Sequence, residues 1–162
     1  MKIRNGFVSN SSSSSYIVQI KNTSWEEFCN IMTSSKGFYW AEELRVEIDE
    51  EIKKQKKYMS DAKGNKMFKG MKRLYKERLV KLQKLKKNIN VPKPNSSILV
   101  KTALDFNDVK YYDYQNERIE LNYFTSMHNS FNEGMADVLK EIILVFMFDT
   151  NKKIKCERED NE

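Results

Sequence analysis

His128 is the only histidine of this 162-residue chain, and Cys29 and Cys156 are its only cysteines. A Cys29–His128 dyad would be the simplest catalytic pair available, because a thiolate nucleophile needs little more than a nearby base. No local motif links the two residues, however. Cys29 falls inside a helical pattern and reads as a packed side chain, while His128 falls in the loop ahead of a helix. One His and two widely separated Cys do not make a zinc ligand set. Asp105, Asp108 and Asp113 come closest to a carboxylate cluster, and turn chemistry accounts for Asp at such positions equally well. Neither phosphate-cradling glycine pattern, G-x-x-x-x-G-K-[ST] or G-x-G-x-x-G, is present. The expectation is a non-enzymatic protein with no cofactor and no metal.

The chemistry that the sequence does carry is electrostatic. A net charge of +6 conceals a strong asymmetry: residues 52–88 hold fifteen basic residues against Asp61 and Glu77, a net of +13. Residues 41–51 run the other way, with six acids against Arg45. Helical spacing places Lys69, Lys72, Arg73, Lys76, Lys84 and Lys87 along one side of a helix, and these six are the candidate polyanion-binding residues. Neutralising phosphates releases counterions, so such binding would weaken steeply with salt. Lysine outnumbers arginine here, which speaks against base reading, since bidentate contacts to guanine mostly use Arg. An acidic protein surface would meet the same field as nucleic acid. The plainer interpretation of the same residues is a solvated, lysine-rich helical hairpin.

The elements that must position this stripe follow from periodicity. Residues 1–14 read as a Ser-rich leader, with an Asn5-Gly6 turn and room for a minimal hairpin around it. Tyr16, Val18 and Ile20 then alternate as in a strand. Ser24-Trp25-Glu26-Glu27 has the S-x-x-E pattern that opens a helix, and Phe28, Ile31 and Met32 supply its apolar stripe. Residues 41–90 predict a helical hairpin: Leu44, Ile48, Ile52 and Met59 on one arm, a turn near Gly64, and Phe68, Met71, Tyr75, Leu79, Leu82 and Ile89 on the other. Pro92 and Pro94 end it. The alternation of Ile98, Val100, Thr102 and Leu104 predicts a strand. Residues 109–114 and 117–124 flank Gln115-Asn116, a candidate two-residue hairpin loop. A second capping box, Ser130-Phe131-Asn132-Glu133, is expected to open a helix whose apolar face runs through Phe131, Met135, Val138, Leu139, Ile142, Ile143 and Phe146. An edge strand over residues 152–156 and an acidic tail, residues 157–162, complete the chain.

Segregated strands and helices predict an α+β fold: one domain over residues 15–156, with a small antiparallel sheet packed by helices and the basic hairpin inserted. One arrangement that fits is a ferredoxin-like βαββαβ core with the hairpin after its first helix. At 162 residues with 40% apolar content, the chain can bury a single real core. No stretch reaches the length needed to span a bilayer, and no export signal is legible, so a cytoplasmic protein is expected.

The leader carries one further clue. Gly6-Phe7-Val8-Ser9-Asn10 followed by Ser11 to Ser15 and an aromatic residue resembles "GFVSNSSSSSF", an N-terminus that recurs on small proteins of bacteriophages and mobile elements. Tyr16 stands where the pattern usually has Phe. The resemblance covers about a tenth of the chain and implies origin: a phage-type accessory protein made in a bacterial host cytoplasm, or associated with the virion. Together with the charge pattern it points to a protein that binds a host or phage macromolecule, either nucleic acid or an acidic protein, through its basic hairpin. The alternative is a structural or assembly component of a phage particle. Binding to a membrane is not expected.

Overall fold

The computed structural model describes residues 13–34, 40–61, 69–125 and 136–161. In chain order these form strand β1 (Ser13–Lys21), helices α1 (Trp25–Ser34), α2 (Trp40–Asp61), α3 (Lys69–Ile89) and α4 (Ser96–Phe106), strands β2 (Val109–Asp113) and β3 (Arg118–Thr125), helix α5 (Asp137–Phe148) and strand β4 (Ile154–Asn161). The fold is α+β, with five helices and one four-stranded antiparallel sheet among the described residues. Two compact units divide it: a sheet unit of residues 1–32 and 107–162, and a helical unit of residues 33–106.

In the sheet unit the strands lie in the order β2-β3-β1-β4. With α1 after β1 and α5 between β3 and β4, this is the βαββαβ connectivity of the ferredoxin-like plan, interrupted after α1 by the helical unit. Alternation in β1 buries Tyr16, Val18 and Ile20, and pairing sets them opposite Tyr123, Leu121 and Ile119. A one-residue slip would turn all of these to the other face, so burial fixes the register. The same face receives both helices. Phe28 of α1 stacks on Phe146 of α5 at 5.7 Å between ring centroids, and Trp25 stacks on Tyr111 of β2 at 5.1 Å. Leu139, Ile142 and Phe146 are fully buried beneath α5.

Local signals account for the joints. Ser24 Oγ accepts the Glu27 backbone N–H at 3.1 Å, the first half of the capping box. Gln115 and Asn116 both have positive φ, at 49° and 71°, and the Glu117 N–H donates to the Tyr114 carbonyl. Two central residues of positive φ define the type I′ turn, whose twist matches that of the flanking strands.

Four expectations require correction. Residues 98–104 are not a strand but the core of α4. Asn95 caps it, with Oδ1 accepting the Ile98 N–H at 2.8 Å, and Leu99, Val100, Ala103 and Leu104 are buried at helical spacing. The segment satisfies both the period of a strand and that of a helix, and the cap favours the helix. Secondly, α5 starts at Asp137 after a non-helical Ala136, so the Ser130 box does not open it. Residues 130–135 lie outside the described residues. Thirdly, β4 runs from Ile154 to Asn161, and the acidic residues assigned to a tail pair with β1 instead: Glu157 opposite Ile17, Glu159 opposite Ser15. Finally, β1 begins at Ser13, so the end of the serine tract belongs to the sheet; the proposed hairpin around Asn5-Gly6 lies outside the described residues.

Candidate functional site

The helical unit contains the expected hairpin, α2 packed on α3, with α4 against both. Its apolar ladder is confined to one end. Leu44, Ile48, Ile52 and Gln55 of α2 are buried, as are Leu82, Leu85 and Ile89 of α3. Among the described residues of α3 that precede Leu82 none is buried; Met71 and Leu74 are exposed, and Tyr75 and Leu79 are half-buried. In that distal half the described ring contact between the arms is Tyr58 against Tyr75, at 5.4 Å between centroids. Phe68 and the turn lie outside the described residues.

Charge divides along the same line. At the base, the acidic start of α2 meets the basic end of α3. Lys86 Nζ is 2.6 Å from Asp49, and Arg78 is 3.7 Å from Glu51. Arg45 crosses the hairpin to cap α3: its guanidinium donates to the Ile89 carbonyl at 2.8 and 3.1 Å, and to that of Val91 at 2.8 Å. The Ile89 carbonyl belongs to the partial negative pole of the helix, so the arrangement is favourable in charge as well as in hydrogen bonding. Six acids and Arg45 over residues 40–51 balance five basic residues over 78–89. Residues 52–77, by contrast, carry ten basic and two acidic residues, a net of +8.

The six sequence-selected residues therefore do not form one site. Five of them share the solvent side of α3, along a helix roughly 30 Å long. Lys72, Arg73, Lys76, Lys84 and Lys87 are exposed, and Lys69 is the first residue of the helix. Lys84 and Lys87, however, stand over the charge-balanced base, and Lys87 lies in the last turn, where a cation complements the helix dipole. Arg73 is committed to Glu77 at 2.9 Å, a contact that raises its pKa further; both partners are well exposed, so the pair contributes little to stability. Lys72 and Lys76 remain, joined by cations that the selection missed on the facing arm. Lys53, Lys56 and Lys57 on α2 are exposed, and among the described residues no carboxylate pairs with any of these five lysines. The sequence signal for them was the charge run from residue 52, read on one arm only.

The other candidates are placed as follows. Cys29 is buried and Cys156 exposed, and neither forms a disulfide. His128 lies outside the described residues. Asp105 belongs to α4 and Asp113 to β2, and Asp108 takes a positive φ of 56° in the turn between them. No group of three metal-ligating side chains converges among the described residues, and none of their helices is long and apolar enough to cross a membrane. Comparison of the chain with models of protein families, with curated proteins and with solved structures finds no match.

Proposed function

We propose that the chain is a non-enzymatic, phage-type accessory protein that binds a polyanionic host or phage macromolecule, nucleic acid first, through the distal half of its helical hairpin. The supporting observation is the division of charge along α2 and α3: at the base the acids of α2 meet the basic end of α3, whereas residues 52–77 carry a net of +8, of which only Lys54, against Glu51, reaches an acid outside that segment among the described residues. Lysines on two adjacent arms suit the phosphate backbone as point charges rather than as base readers.

Retention of DNA or RNA by the purified chain, followed over a salt series, tests this reading. Affinity should fall linearly on logarithmic axes as salt rises. Lys72→Glu with Lys76→Glu should flatten that slope by about one per contact removed, whereas Lys84→Glu with Lys87→Glu should leave it nearly unchanged. Equal losses from both pairs would return the site to the whole stripe. Absence of retention would remove nucleic acid as the target and favour the structural, particle-associated reading.

A further inference from the structure

We propose that the outer edge of β4, which no other strand covers among the described residues, is a self-complementary surface that pairs with β4 of a second copy, joining two sheets into one. Lys21 donates its N–H to the Lys153 carbonyl at 3.0 Å, which marks the Lys21–Lys153 position as a hydrogen-bonded pair. Pairs along an antiparallel ladder alternate, so residues 153, 155, 157 and 159 direct their backbone groups at β1. Ile154, Cys156 and Arg158 then direct theirs outward, and β4 is the outermost strand of the sheet.

An edge strand rich in charge usually serves to prevent pairing. Here the signs are sorted along the strand rather than mixed. Lys153 and Lys155 precede Cys156, and Glu157 and Glu159 follow it, all four on the face opposite the buried Val18 row. A two-fold axis through Cys156 and perpendicular to the sheet sets Cys156 opposite itself. It also sets Lys155 opposite Glu157 of the second copy, and Lys153 opposite its Glu159. Four opposite-charge pairs result, with no like pair among them. They fall at non-hydrogen-bonded positions, where side chains come closest, at about 4.5 Å between Cα atoms. Shifting the register by two residues brings Lys155 against Lys155 in one direction and Glu157 against Glu157 in the other. Odd shifts oppose residues of different faces. One antiparallel register is therefore selected, and it is the isologous one that closes as a dimer.

Within one copy Lys155 already bonds Glu157, so the two copies would assemble an alternating square of charges. The same axis places both helix layers on one side of the joined sheet. On that side α5, which packs on β4, leaves Leu144, Met147 and Phe148 exposed.

Analytical ultracentrifugation of the full chain tests the proposal. The wild type should sediment as a dimer. Lys153→Glu with Lys155→Glu, and separately Glu157→Lys with Glu159→Lys, should each weaken self-association roughly tenfold or more, because every facing pair becomes repulsive. An equimolar mixture of the two variants should recover the dimer, since their strands are then opposite in sign at all four positions. Cys156 supplies a check that needs no charge change. At a hydrogen-bonded pair the opposed Cα atoms stand about 5.5 Å apart, within disulfide range, so mild oxidation of the wild type should give a covalent dimer that Cys156→Ser abolishes. A monomeric wild type, unchanged association in both variants, or a mixture that stays monomeric overturns the proposal. If a variant fails to fold by circular dichroism, the wild-type cross-link decides, and its absence overturns the proposal equally.

Discussion

Gln115 holds a backbone conformation that few side chains favour, with φ at 49°, and Asn116 follows it at 71°. The type I′ turn between β2 and β3 needs both values, and Asn-Gly meets that need with the least strain. Gln115→Asn combined with Asn116→Gly should therefore stabilise the protein by about 1 kcal/mol, read as a higher urea midpoint with an unchanged slope. An unaltered midpoint would mean that the turn is held by its strands alone. At this scale the sequence was legible where a residue type has one dominant use. The Gln115-Asn116 turn and the Ser24 cap both stand as their chemistry dictates, and Cys29 is packed. Positive φ at Asn22 and Asp108 was not foreseen. Asn and Asp take that conformation only when the surrounding chain demands it, and the pairing that carries the Asn22 N–H to the Glu117 carbonyl is long-range. Cys156 shows the same dependence on neighbours. Partial desolvation on the sheet pushes its thiol above the usual cysteine range, so oxidative cross-linking proceeds best at mildly alkaline pH, where thiolate is present.

Among the elements, α5 was read correctly in its apolar face and wrongly in its start. Val138, Leu139, Ile142, Ile143 and Phe146 are all buried, because a stripe of that length leaves no competing structure. The four-residue pattern at Ser130 lies outside the described residues, and α5 itself starts at Asp137 after Ala136. Ile142→Ala and Phe146→Ala should each cost about 2–5 kcal/mol, as fully buried side chains whose removal leaves a cavity; a loss below about 1 kcal/mol in denaturant titration would show that the site collapses around the change. The opposite error was made at α4, where period-two alternation and helical burial are both satisfied by Ile98-Leu99-Val100-Lys101-Thr102-Ala103-Leu104. The hairpin was legible to the extent that its apolar ladder is long. What the sequence did not reveal is which basic residues the hairpin neutralises itself, since Asp49–Lys86 and Glu51–Arg78 depend on how the two arms are aligned.

For the whole molecule, the two units carry opposite charge. Residues 33–106 hold nineteen basic and nine acidic residues, a net of +10, while residues 1–32 and 107–162 together hold ten and fourteen, a net of −4. A basic unit is thus joined to an acidic unit whose outermost described strand is β4. If the sheet units pair through β4 and the hairpins bind through their distal halves, each dimer carries two arms that a duplex of sufficient length can engage together. The second arm then binds at an effective concentration set by the dimer, and a long duplex should be held more tightly than two short ones by roughly a hundredfold. A duplex too short for two arms should show no such gain. The β4 variants separate this effect from simple charge. Lys153→Glu with Lys155→Glu lowers the net charge by four, and Glu157→Lys with Glu159→Lys raises it by four, so the two should move short-duplex affinity in opposite directions. Both should nevertheless lose the advantage of the long duplex, and mixing them should restore it. Competition binding with duplexes of two lengths at one salt concentration measures the ratio directly. A long-duplex advantage that persists in both variants would assign it to statistical sites along the DNA, and the arms would then act singly.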